Sequence, residues 1–210
     1  MGRKKRYPLI ERLEIVDIAA EGKSIGRHED MVVFVPQAVP GDVVDVQVLR
    51  KRRRFMEGIV TSYHKYSDNR AEPFCEHFGV CGGCKWQNLP YPEQLKFKQK
   101  QVVDSLERIA RVEIPEILPI IPSDNLVHYR NKLEYTFSES RWLTDEEVTS
   151  KQEITDRKAL GFHIPGRFDR VLDIRHCHLQ ADPSNQIRLA IREFALQHQF
   201  RFFDHTKQEG

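Results

Sequence analysis

Val43-Val44-Asp45-Val46-Gln47-Val48, entered through Pro40-Gly41-Asp42, is the stretch from which the fold can be read. Every second residue is a valine and the residues between them are largely polar, the period of a strand with one face in a core and one in water. Proline, glycine and aspartate just before it are turn residues. Working outward, Leu13-Glu14-Ile15-Val16-Asp17-Ile18 is a second β-branched run and residues 31–35 are a short continuous apolar one. Turn signals at Gly22-Lys23-Ser24, Gly26-Arg27, Pro36 and Gly58 divide them. Several short strands within residues 9–66 predict a small closed barrel of the oligonucleotide-binding type.

The barrel text carries an uneven charge. The chain of 210 residues has a formal net charge of +2, yet residues 1–70 hold 14 Lys+Arg against 10 Asp+Glu, a balance of +4, and the rest sums to −2. The cations bunch at Arg3-Lys4-Lys5-Arg6 and at Arg50-Lys51-Arg52-Arg53-Arg54, with Phe55 directly after. The second run falls between two strands, so it predicts a hairpin tip, either a solvated turn or a patch that binds phosphates.

After the barrel, residues 67–88 have neither strand nor helix period and contain three of the four cysteines, Cys75, Cys81 and Cys84, in CEHFGVCGGC. Five residues separate the first pair and two the second, so one irregular loop can turn three thiolates toward a point, and Cys177 in RHCHL can close the site. Gly82 and Gly83 suit such a loop, because glycine accepts positive φ and leaves N–H groups free to point at sulfur. Structural zinc favours two separated pairs, whereas three clustered cysteines with a remote fourth are nearer to iron–sulfur ligation. Both remain open on spacing, with His77, His176 and His178 available to replace a thiolate on zinc. A disulfide framework is disfavoured, since the basic first six residues lead into no apolar signal segment.

Beyond the loop, residues 91–110 predict a helix with Leu95, Val102, Leu106 and Ile109 as its core-facing stripe. Lys132-Leu133-Glu134-Tyr135-Thr136-Phe137 alternates as a strand. Residues 159–164 and 171–174 flank Pro165-Gly166-Arg167-Phe168 as a hairpin, with a polar insertion over 138–158. A last helix over 182–199 carries Ile187, Ile191 and Phe194 on one face. Nothing approaches a membrane span; a charge-rich, cysteine-poor chain points to the cytoplasm, and a monomer is expected.

In this order, three motifs resemble the N-terminal part of the RNA (uracil-5-)methyltransferases. Val35-Pro36 with Pro40-Gly41-Asp42 resembles a TRAM domain. Cys75-x5-Cys81-x2-Cys84-x-Trp86-Gln87 resembles that family's cluster loop, and His128-Tyr129-Arg130-Asn131-Lys132 with Gly161-Phe162 and Cys177-x-Leu179 its central domain. The resemblance implies a [4Fe-4S] cluster on Cys75, Cys81, Cys84 and Cys177. It implies RNA contacts by Lys51, Arg52, Arg53, Arg54, Arg130 and Lys132, with 23S ribosomal RNA as partner, and 5-methyluridine as product. In the implied reaction a nucleophilic cysteine adds to C6 of uracil so that C5 can take a methyl group from S-adenosylmethionine. The expected fold class is α+β: a TRAM-like barrel over 1–68, the cluster loop over 69–90 and an α/β central domain over 91–210. The Rossmann-like catalytic domain, which would bind S-adenosylmethionine, is expected to be absent, since no glycine-rich strand-to-helix turn with a following acidic residue occurs. The 210 residues alone are therefore expected to be inactive. The alternatives are a transfer-RNA uracil-5-methyltransferase and a freestanding RNA-binding module with a structural zinc or iron–sulfur site.

Overall fold

The computed structural model describes residues 7–150 and 153–210; the basic Arg3-Lys4-Lys5-Arg6 run lies outside the described residues. Contacts divide the chain into two units, one of residues up to Phe74 together with Lys85–Pro122, the other of Cys75–Cys84 together with Ser123–Gly210.

The first unit is built on five strands, β1 (Leu9–Ile18), β2 (Ser24–His28), β3 (Met31–Val35), β4 (Val43–Lys51) and β5 (Phe55–Lys65). They close into a barrel in the order β1-β2-β3-β5-β4, and every pairing is antiparallel except β3 with β5. The alternation in β4 is realised as read: Val44, Val46 and Val48 are buried with Val33, Val35, Ile15 and Met56 in the barrel interior. β1 begins four residues earlier than its sequence pattern, because a register shift between Ile10 and Leu13, with Arg12 at φ 52, lets both flanking residues face inward. Such a bulge breaks the two-residue period and so hides the strand from a pattern search.

The turn before β4 holds the interaction that organises this unit. Asp42 is fully buried. Its carboxylate accepts from the Val39 N–H at 2.7 Å, the Ser67 N–H at 2.9 Å, and Arg70 Nε and Nη2 at 3.0 and 2.9 Å. Its own peptide group is tied in as well, the carbonyl accepting from the Ile15 N–H at 2.9 Å. Arg70 in turn lies 5.1 and 5.2 Å from the ring centres of Tyr63 and Tyr66, which stack on each other.

Helix α1 (Tyr91–Asp104), continued by a π-helical turn over Ser105–Ala110, belongs with the barrel. Phe97 packs with Ile18, Val39 and Leu89, and Gln101 Nε2 donates to the Ala19 carbonyl at 3.0 Å. The stripe expected to face the core does not: Val102 is 57% and Ile109 81% exposed, and Phe97 is the one buried residue of α1.

The second unit has a three-stranded sheet in the order β6 (Thr136–Ser138), β7 (Ala159–Ile164), β8 (Arg167–Asp173), with a short helix α2 (Asp145–Thr149) and a longer one, α3 (Ser184–Gln197). Both pairings are antiparallel. The expected α/β central domain is therefore corrected. An α/β unit needs helical crossovers between parallel strands, whereas β7 and β8 form a hairpin and α3 follows the sheet. The strand read over 132–137 also shrinks, since only its last two residues enter β6.

Replacing Asp42 by alanine removes the acceptor of two backbone amides and strands a half-buried guanidinium. Losing one partner of such a pair costs about 3 kcal/mol or more. Amide hydrogen exchange at Val39 and Ser67 is expected to lose protection in Asp42→Ala. Adding Arg70→Ala is expected to cost less than the sum of the single changes.

Candidate metal centre and nucleic-acid interface

All four cysteines fall in the second unit, and all are free thiols. The Cys75–Cys84 loop winds through short turns, in which the Phe78 N–H donates to the Cys75 carbonyl at 3.0 Å and the Cys81 N–H to the His77 carbonyl at 2.8 Å. The Gly83 N–H points at Cys81 Sγ at 3.4 Å, as expected for a loop built to present amides to sulfur. The positive φ sits at Gly79, however, and not at Gly82 or Gly83. Gly82 is needed for space: a Cβ there would stand 3.2 Å from the His163 carbonyl oxygen and 3.4 Å from Pro165 Cγ.

The fourth cysteine is held from three sides. Cys177 is 8% exposed and shares a core with Cys81, Ile164, Leu172 and Ile174. Its N–H donates to Asn185 Oδ1 at 2.9 Å and its carbonyl accepts from Asn185 Nδ2 at 3.1 Å. One turn along α3, Arg188 donates to the carbonyls of Ile174 and of Arg175, the latter at 2.9 Å. A further turn on, Arg192 makes a two-pronged pair with Asp173 at 3.0 and 3.1 Å. The Arg175 N–H donates to His77 Nε2 at 3.2 Å, joining the Cys177 segment to the loop of the other three thiols.

Burial pushes the Cys75 and Cys81 thiols up, and each is raised further by the charges of the other cysteines, Cys177 included. The Tyr135 hydroxyl is pushed up to about 12, first by burial and then by Cys177. Among the described residues, no group of three or more His, Cys, Asp or Glu is placed so that it could hold a metal ion. The fold gathers the four thiols into one unit.

The basic run forms the tip joining β4 and β5 in the barrel unit. Lys51, Arg52, Arg53 and Arg54 are all exposed, and the Arg52 N–H to Phe55 carbonyl bond of 2.8 Å closes the turn. Arg50 stands apart, paired with Glu57 at 3.3 Å. In the second unit, Arg130 and Lys132 are exposed on irregular backbone, not on the strand expected for them. The Arg130 N–H donates to the Leu179 carbonyl at 2.9 Å, and Lys132 Nζ pairs with Glu134 at 2.8 Å.

Asn185, Arg188 and Arg192 were not legible as site residues, although their spacing of three and four places them on one helical face. Among the described residues no helix is long and apolar enough to cross a membrane.

Residues 9–61 match the TRAM domain family. The chain is 53% identical over 193 residues to an uncharacterized RNA methyltransferase of Bacteroides thetaiotaomicron, covering 92% of this chain and 42% of that protein. It is 52% identical over 206 residues to one of Porphyromonas gingivalis, covering 94% and 44%, and 37% identical to one of Chlorobaculum tepidum, covering 99% and 44%. Among solved structures, the tRNA (uracil-54, C5)-methyltransferase of Pyrococcus abyssi in complex with S-adenosyl-L-homocysteine matches with a TM-score of 0.60 at 23% identity, over 95% of this chain and 40% of that one. The chain thus spans about two-fifths of the length of the relatives it matches. A fold class that counts a missing catalytic domain as a property of this protein does not stand against that coverage. The fold class is that of the matched stretch alone, a TRAM barrel followed by an antiparallel α+β unit.

Proposed function

We propose that this chain is the RNA-holding and cluster-holding part of an S-adenosylmethionine-dependent RNA methyltransferase that forms 5-methyluridine and works in the cytoplasm. The observation that carries the reading is a single chain that combines a TRAM barrel tipped by four exposed cations with a unit that collects four cysteines. Relatives named as RNA methyltransferases, matched over nearly all of the chain, support it.

The exposed side chains of Lys51, Arg52, Arg53 and Arg54 neutralise phosphates without reading sequence, so they would set affinity. Arg130 would contact RNA from the second unit and influence register. Lys132 would contribute less, because Glu134 offsets its charge. Cys75, Cys81, Cys84 and Cys177 would hold a [4Fe-4S] cluster. Bound by four protein thiolates, the cluster would supply a structural link between the Cys75–Cys84 loop and the Cys177 segment. Asn185 and Arg188 hold the backbone of that segment in place beforehand. S-adenosylmethionine would provide the methyl group. The target RNA by the resemblance is 23S ribosomal RNA. Transfer RNA is the competing choice, because the solved structure of similar fold is named for a transfer-RNA uracil.

Neutralising four phosphates of a single strand gives a log–log salt slope near about −2.8, or roughly a fifty-fold loss of affinity between about 50 and 200 mM salt. Replacing Lys51, Arg52, Arg53 and Arg54 by alanine is expected to flatten that slope and weaken binding to ribosomal and transfer RNA fragments alike, measured by fluorescence anisotropy. An unchanged slope would make the tip a solvated turn. Competition between the two RNA classes on the unaltered protein decides the target. For the thiol site, Cys177→Ser is expected to lower bound metal as much as Cys81→Ser does, although the two lie 96 positions apart in the chain. Full metal retention in Cys177→Ser would remove Cys177 from the ligand set.

A further inference from the structure

The hairpin of β7 and β8 ends in an unusual residue. Pro165 and Gly166 make the turn, with Ile164 paired to Arg167 across it. Proline sets the first turn position and Gly166, at φ 76, supplies the left-handed second one, so the tip is stiff by construction. The next two residues are Arg167 and Phe168, both exposed. Phe168 is 76% exposed, more than any other phenylalanine of the chain. It makes no ring contact among the described residues. Leaving this ring in water forgoes the stabilisation of its burial, and a tip that had only to reverse the chain would gain nothing from it.

The base of the hairpin is braced. Val171 is fully buried, its N–H donates to the Ser140 carbonyl at 3.2 Å and its carbonyl accepts from the Trp142 N–H at 2.7 Å. On the other strand, Gly82 of the cysteine loop packs against His163 and Pro165 so closely that a methyl group there would meet the His163 carbonyl at 3.2 Å. Arg170 is paired with Asp169 at 3.4 Å, and Arg167 is the exposed cation that precedes the ring in the chain. A rigid, exposed aromatic next to a guanidinium is the combination by which proteins hold unpaired nucleotides, the base stacking on the ring and the cation meeting the phosphate.

We propose that Phe168 is a base-stacking tip on which an unpaired RNA nucleobase sits, with Arg167 facing an adjacent phosphate. The inference rests on the RNA-binding reading and adds to it a contact that is aromatic, distinct from the basic β4–β5 tip. The ring is a positioning group for RNA and takes no part in chemistry.

The test uses the 210-residue protein and a fluorescein-labelled single-stranded RNA of mixed sequence, read by anisotropy. Phe168→Ala is expected to weaken binding about ten-fold, the scale of one lost base stack, with the salt slope unchanged. Phe168→Trp is expected to restore affinity, and the new indole to be quenched on RNA addition. A fully paired RNA duplex is expected to bind both variants like the unaltered protein. Equal affinity of Phe168→Ala and the unaltered protein for the single strand would overturn the stacking tip and leave RNA binding by the basic tip standing. A loss on duplex as large as on single strand would also overturn it. Failure of the unaltered protein to bind any RNA would overturn both. Because Phe168 is exposed, circular dichroism of the variants is expected to match that of the unaltered protein.

Discussion

A carboxylate taken out of water must be matched by donors, and the arrangement around Asp42 shows what that requirement achieves. Two backbone amides, from Val39 and Ser67, and two nitrogens of Arg70 converge on it. These partners come from the turn before β4 and from the segment that leaves the barrel after β5. Satisfying one buried charge therefore fixes both the entry to β4 and the exit from β5. With those ends held, the alternating valines of β4 can face the interior, and the Lys51–Arg54 tip projects from a barrel whose strand register is set.

A similar logic operates in the second unit with the signs reversed. Asn185, Arg188 and Arg192 are buried on α3 and donate to carbonyls of residues 174, 175 and 177 and to Asp173. These bonds hold the backbone around Cys177, whose side chain packs in the core that Cys81 also joins. The sheet contributes Tyr135, whose ring lies 4.9 Å from the Arg188 guanidinium and whose hydroxyl senses Cys177. The backbone position of Cys177 is thus imposed by polar bonds to the main chain, the kind of support that the proposed metal site would need.

How much of this could be read from the chain depended on which physical rule dominated locally. The barrel was legible because alternation and turn residues agree in β4, and the β7–β8 hairpin because Pro165-Gly166 punctuates two apolar runs. The cysteine loop was legible as an irregular loop between the barrel and the second sheet, and its spacing is the ground on which a ligand set is proposed. In α3 the apolar residues that share one face, Ile187, Ile191 and Phe194, are 55%, 51% and 52% exposed, while the opposite, polar face is buried. Hydrophobicity predicts a buried face only where burial is driven by apolar area, and here the buried face serves backbone carbonyls. α1 misled in a simpler way, since its stripe is apolar yet mostly uncovered in the described residues. The capping box at Thr144, where Thr144 and Glu147 each bond the other's backbone N–H at 3.2 and 2.9 Å, was a readable helix start that the polar composition of the region concealed.

One chain carries exposed cations and an exposed aromatic, proposed to hold RNA, and four cysteines, proposed to hold a metal centre. The second is the more exacting claim, because zinc and an iron–sulfur cube are both compatible with four sulfurs but not with the same spectrum. Mössbauer spectroscopy of protein produced with iron-57 and purified without oxygen decides between them. The account predicts the signal of one [4Fe-4S] cluster per chain, accounting for about four irons. A preparation that holds stoichiometric zinc and gives no iron signal would contradict it.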